Sequence, residues 1–116
     1  MIERCWQVSA LPAQNRVTLR YQGPTPTDEL VASLEELRRV LPGAPVVLVV
    51  DIRDLDGENP DARVLWRAFL REHRAAIAAA YVVSHRTLVL YRMVSALVSL
   101  GTGVHLHFVE SSDDIP

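Results

Sequence analysis

Val46-Val47-Leu48-Val49-Val50 runs straight into Asp51-Ile52-Arg53-Asp54-Leu55-Asp56-Gly57-Glu58, and Asn59-Pro60 follows. Consecutive apolar residues rich in β-branched valine are what a strand packed on both faces requires, as in the sheet of an α/β fold. The change of character at Asp51 predicts that the strand ends near Val50 and opens into a polar loop. Asn59-Pro60 predicts a helix start, a capping side chain followed by a residue suited to the first helical turn. Loops at the carboxyl end of a central strand are where ligands and partners dock in α/β folds. The stretch therefore places a candidate site as well as a fold class.

Working outward, residues 3–9 and 16–22 read as an antiparallel pair of strands. In the second, Val17, Leu19 and Tyr21 alternate with Arg16, Thr18 and Arg20. Residues 11–15 form the turn between them. Thr25-Pro26-Thr27-Asp28 predicts a helix capped by Thr25, with Leu30, Leu34, Leu37 and Leu41 on one face, opposite Glu35, Arg38 and Arg39. Pro42-Gly43 stops it. Beyond the central strand, a second helix runs from Asn59-Pro60 to about residue 78, with Leu65, Phe69, Ala76 and Ile77 on its apolar face. A strand over 80–83, a third helix over 85–100 introduced by Ser84, and a strand over 104–109 complete the pattern. Ser111 to Ile115 reads as the cap and first turn of a fourth helix whose remainder is missing. The expected fold is a single α/β domain over residues 1–116, a mixed sheet with helices packed on it, in the order β β α β α β α β.

The chain of 116 residues is 49% apolar and 22% charged, and 12 basic residues stand against 14 acidic ones. Such a balance gives no strong global field, so bulk attraction to nucleic acid or to an anionic membrane is not expected. Every basic residue is arginine, a pattern of GC-rich coding, and the absence of lysine excludes Schiff-base and P-loop lysine chemistry. Cys5 stands alone, so an intrachain disulfide is excluded, and its strand context suggests core packing. Met1-Ile2-Glu3-Arg4-Cys5-Trp6 has no secretory character, and no apolar run reaches the roughly 18 residues needed to cross a bilayer. A cytoplasmic protein is expected.

Two opening strands, alternating helices and strands, and an apolar strand that ends in Asp51 before a polar loop and a helix resemble the STAS family. These domains are similar to bacterial anti-sigma factor antagonists and to the cytoplasmic domains of sulfate transporters. The resemblance covers nearly the whole chain and rests on element order and on residues 46–55. In the antagonists the loop after that strand carries Asp-Ser, then Gly at the helix start, and phosphorylation of the serine breaks the partner complex. Asn59 and Pro60 fall at about that Asp-Ser position here, and no Ser or Thr occurs between Asp51 and Ala80. The phosphoswitch is not carried over. What the resemblance still implies is a docking surface made by the 51–59 loop and the 60–78 helix, as in divergent bacterial STAS-like proteins.

Asp51, Asp54, Asp56 and Glu58 gather four carboxylates at the strand end. They suit a hard cation or a tuned acid in principle, but their spacing matches no calcium loop or phosphatase motif; a solvated loop whose charges favour the helix start is the simpler reading, with Arg53 placed to neutralise them. Arg63, Arg67, Arg71 and Arg74 recur at helical spacing with Glu72 as the nearby acid. Like charges at that spacing cost a helix roughly 0.2–0.5 kcal/mol per pair. The row is either a solvated face paired to Glu35 and Glu36 or a face kept for an acidic partner or phosphates. His105 and His107, two apart on a strand, share a face and invite a metal-site reading with His73 or His85, but the ligand set is incomplete and an ordinary polar face is favoured.

Residues 88–100 are apolar nearly all round, which predicts a helix buried on more than one side. Leu90, Met93, Val94 and Leu97 are the residues expected to meet a second subunit or an apolar ligand. Trp66 and Tyr81 read as core or interface aromatics. No Gly-x-Ser-x-Gly elbow, catalytic triad or Gly-rich phosphate loop is present. The leading expectation is a non-enzymatic regulatory domain that binds another protein through Asp51, Asp54, Asp56, Glu58, Asn59, Arg63, Arg67, Arg71 and Arg74, self-associates as a homodimer, and needs no metal or cofactor. The alternative is a small apolar ligand or lipid carrier of the same fold.

Overall fold

In the computed structural model the described residues are 5–41, 43–56, 59–85 and 103–116. They form a five-stranded sheet in sequence order, β1 (Trp6–Leu11), β2 (Arg16–Gly23), β3 (Val46–Leu55), β4 (Ile77–Val83) and β5 (Leu106–Val109). β1 runs antiparallel to β2, and the other neighbours are parallel. Helix α1 (Thr27–Val40) joins β2 to β3, and α2 (Asp61–Glu72) joins β3 to β4. This is the expected mixed α/β sheet. The third helix expected over 85–100 lies outside the described residues, apart from His85.

The hairpin closes through a short 3₁₀ turn (Pro12–Gln14) and Asn15, whose φ of 53° is left-handed. Asparagine tolerates that region. Its side-chain amide donates to the Pro45 carbonyl at 2.6 Å, and its own carbonyl accepts from the Val47 N–H at 2.9 Å. One turn residue thus fixes where β3 enters the sheet.

Alternation divides the sheet into two faces. Val17, Leu19, Tyr21, Val46, Leu48, Val50, Ile77 and Ala80 point to the face that α1 and α2 cover, where Leu30, Leu34, Leu37, Phe69 and Leu70 meet them in one core. Cys5 is half-buried against this core. The opposite face holds a smaller cluster, Val49, Val83 and Ile115 with Val47, Tyr81 and Val109 around them. Charge placement suits α1: Asp28 and Glu29 lie in its first turn, and Arg38 and Arg39 in its last.

Several boundaries differ from the sequence expectation. Thr25 does not cap α1. Pro26 is extended (φ −67°, ψ 163°) and occupies the cap position itself, its carbonyl accepting from Leu30 N–H at 2.9 Å, while the Thr25 hydroxyl is buried without a partner among the described residues. Helix α2 ends at Glu72, not near residue 78. A 3₁₀ turn (Arg74–Ala76) follows, and Ile77 is the first residue of β4, set opposite Val46. The alanines around Ile77 are good helix formers, but packing of Ile77 and Ala80 against β3 overrides that preference.

β3 does not stop at Val50. Asp51 pairs in register with Arg20, Asp54 with Gln22 and Leu55 with Gly23, so the polar segment is an extension of the strand along β2. β4 ends at Val83 opposite Asp51, so among the described residues the extension pairs with β2 alone. After β5, which begins at Leu106 and not at 104, only a 3₁₀ turn (Ser112–Asp114) forms where a fourth helix was expected. Ser111 Oγ accepts from Asp113 N–H at 3.2 Å, and Ile115 is buried on the second face.

Inside the main core the Tyr21 hydroxyl lies 2.6 Å from Ser33 Oγ, which donates to the Leu30 carbonyl at 2.6 Å. Burial pushes the phenol up to about 12, against the smaller opposing influence of Ser33 and Trp66. A folded pKa raised above the unfolded value means that stability is full below pH about 10 and falls as pH rises toward the folded value. Chemical denaturation followed from pH 8 to 12 is expected to show this loss in the wild type and a flatter profile in Tyr21→Phe. Equal slopes would contradict the assignment.

Candidate functional site

At the carboxyl end of β3 the acidic residues are engaged by arginines. Asp51 is 7% exposed, and Arg53 folds back on it along the same face of the strand. Arg53 Nε donates to Asp51 Oδ1 at 3.1 Å and Nη2 to Oδ2 at 2.8 Å, while the Arg53 backbone N–H adds a third bond to Oδ1 at 3.1 Å. Burial pushes the Asp51 carboxyl up, but the Arg53 hydrogen bonds and charge, with Arg20 behind them, together hold it below its usual range. Asp54 is paired by Arg20 of β2. Asp51 and Asp54 are thus each paired with a guanidinium. Among the described residues no group of three or more His, Cys, Asp or Glu side chains is placed to hold a metal ion.

Asp56 is exposed just beyond the strand, its N–H donating to the Gly23 carbonyl at 3.0 Å. Glu58 lies outside the described residues. Asn59 performs the role read from the sequence: its side-chain oxygen accepts from Asp61 N–H at 2.9 Å, and Pro60 is already helical (φ −59°, ψ −27°). The Asn59 amide also donates to the Thr25 carbonyl at 3.2 Å and to Thr27 Oγ1 at 3.1 Å, and Thr27 donates to Asp61 at 2.8 Å. This network ties the starts of α1 and α2 together. It was not legible in the sequence, because its members are separated by more than thirty positions.

Along α2, Leu65, Trp66, Phe69 and Leu70 turn toward the core, Trp66 meeting Phe69 edge-on with ring centroids 5.7 Å apart. Arg63, Arg67 and Arg71 are exposed and form one row on the outer side. Arg74 lies past the helix end, in the 3₁₀ turn, with its Cδ close to Gly103. The glutamates of α1 are engaged on their own helix. Glu35 pairs with Arg38 and Glu36 with Arg39 on their own helix, while Arg38 reaches across to Glu72 at 3.1 Å and to His73 at 3.2 Å. Among the described residues, Arg63 and Arg67 have no ion pair.

Val64 is the residue that reading for an apolar face misses. It is 68% exposed, and with Ala68 it forms an apolar row beside the arginines. Its lack of fit to the Leu65–Phe69 period is the signal in the sequence. Next to it, an open groove between the helices is lined by Val31, Leu34, Leu65, Ala68 and Phe69.

The histidines are dispersed. His107 stacks on Tyr81 with ring centroids 4.8 Å apart on the second sheet face, while His73 packs on Phe69 on the helix side. His105 precedes β5, and both it and His85 are exposed. Leu90, Met93, Val94 and Leu97 lie outside the described residues.

No family model matches the chain, and no curated protein matches it. A solved structure does, over 98% of this chain and 93% of its own, with a TM-score of 0.73 and 16% identity: an uncharacterized protein of the DUF3478 family with a SpoIIAA-like fold, from Shewanella loihica PV-4. The fold of this chain is SpoIIAA-like. The STAS-like resemblance read from element order is therefore one of three-dimensional structure, and at this identity it is a likeness of fold. Asp51 and Arg53 continue the face of β3 that carries Val47 and Val49, opposite the face covered by α1 and α2. Among the described residues no helix is long and apolar enough to cross a membrane.

Proposed function

We propose that this chain is a non-enzymatic, cytoplasmic STAS-like regulatory domain that works by binding an acidic protein surface and by self-association. The observation that carries the reading is the outer side of α2. Three exposed arginines run beside the exposed Val64 and Ala68, while the nearby glutamates of α1 are held by their own helix. A row of like charges costs helix stability, and an acidic partner recovers that cost through charge-assisted hydrogen bonds. Apolar contact at Val64 adds area that an isolated charge patch lacks. The reading extends to the β3 end, where Asp54 and Asp56 are exposed and Asp51 is buried behind Arg53.

Val31, Glu35, Ala68 and Glu72, which line the groove between α1 and α2, are exposed, and this suits contact with a protein better than enclosure of a small ligand. The pull-down that tests the proposal compares wild type with an Arg67→Glu/Arg71→Glu variant of equal thermal stability, using lysate of the native host. The expected result is a partner retained by the wild type and lost by the variant. Equal capture by both would contradict this surface.

A further inference from the structure

β1 lies at the end of the sheet, and its six residues, Trp6-Gln7-Val8-Ser9-Ala10-Leu11, include no charge, proline or glycine. Edge strands of monomeric proteins are normally blunted by charge, proline, a bulge or a covering segment, because their outward N–H and C=O groups are a template for another chain. β1 pairs with β2 without a bulge. Gln22 N–H donates to the Cys5 carbonyl at 2.7 Å, and main-chain groups alternate in direction along an antiparallel strand, so those of Val8 and Ala10 turn away from β2. At the end of this edge Leu11 is 48% exposed. The opposite edge, β5, is shorter, carries His107 and runs into Glu110.

We infer that β1 pairs antiparallel with β1 of a second copy about a two-fold axis through Val8, joining the two sheets edge to edge. A two-fold contact is self-complementary, so each residue meets a fixed counterpart. Val8 meets the partner's Val8, Gln7 meets the partner's Ser9, and the exposed Leu11 comes over the partner's Cys5. No like charges oppose one another, and Gln7 with Ser9 forms a hydrogen-bonding pair across the axis. The inference rests on the self-association proposed above, and it places the contact at β1 instead of at residues 88–100.

Sedimentation velocity of the wild type over a range of concentrations tests self-association itself, and two variants test the edge. Val8→Pro removes an outward N–H at a position where an edge strand tolerates proline. Gln7→Glu/Ser9→Glu sets carboxylates against each other across the axis, while within one chain position 7 still faces Arg20 and position 9 faces Thr18. Each variant is expected to weaken the dimer by about tenfold or more with circular dichroism unchanged, and Gln7→Glu/Ser9→Lys, which opposes unlike charges, to restore it. A wild-type dimer that Val8→Pro and Gln7→Glu/Ser9→Glu both leave intact would overturn the edge contact while self-association stood. A wild type that remains monomeric at every concentration would overturn both.

Discussion

Leu48→Ala is expected to destabilise the fold by about 2–5 kcal/mol, a large share of the 5–15 kcal/mol typical of a whole domain. Leu48 is fully buried in the first half of β3, with Val17 of β2 and Ala80 of β4 as its register neighbours and the helices above. Truncation there removes apolar burial and leaves a cavity between two strands that cannot close without breaking register. Thermal unfolding should move down by about 10 °C or more. Val64→Ala, on the exposed side of α2, should stay within about 0.5 kcal/mol. A change below 1 kcal/mol for Leu48→Ala would mean that β3 is not the centre of the core.

Arg53→Met is expected to cost about 1–3 kcal/mol at neutral pH, because it strips Asp51 of two of its hydrogen bonds and leaves a buried carboxylate facing a thioether. The figure is below that of a fully buried pair, since Arg53 itself is partly exposed. In the wild type the folded Asp51 pKa lies below its unfolded value. Its contribution is therefore present above pH about 4 and is lost as pH falls through the folded pKa. In Arg53→Met, burial is opposed only by the backbone N–H of residue 53 and by Arg20, so the folded pKa moves up from its wild-type position and the stability lost at neutral pH is relieved on acidification. The stability gap between wild type and variant, measured by denaturant titration, should therefore shrink as pH falls through about 4. A gap independent of pH would remove Asp51 from the account.

The sequence carried the fold because its strongest signals are also its strongest packing interactions. The valine run of β3, the leucine spacing of α1 and the alternation of β2 each meet the same core, and element order alone leads to the STAS-like arrangement. Boundaries were harder to read where two preferences compete. Residues 74–78 contain three alanines and read as helix, yet Ile77 is used by the sheet. Residues 51–55 are polar and read as loop, yet Arg20 and Arg53 neutralise the acids and allow strand pairing to continue.

For the site, the arginine row followed from spacing, but its setting did not. That Glu35 and Glu36 pair along α1, and that Val64 stands beside the row, depend on how the two helices face each other. The Asn59, Thr27 and Asp61 junction is likewise a product of tertiary contact.

The proposed docking of an acidic protein surface on the arginine row of α2 is open to a charge swap. Titration calorimetry would compare the partner captured by the wild type with a form whose contacting carboxylates are replaced by arginine, each against wild type and Arg67→Glu/Arg71→Glu. Binding is expected in the two combinations of opposite charge, with loss of at least about tenfold in the two of like charge. Equal affinity in all four would contradict it.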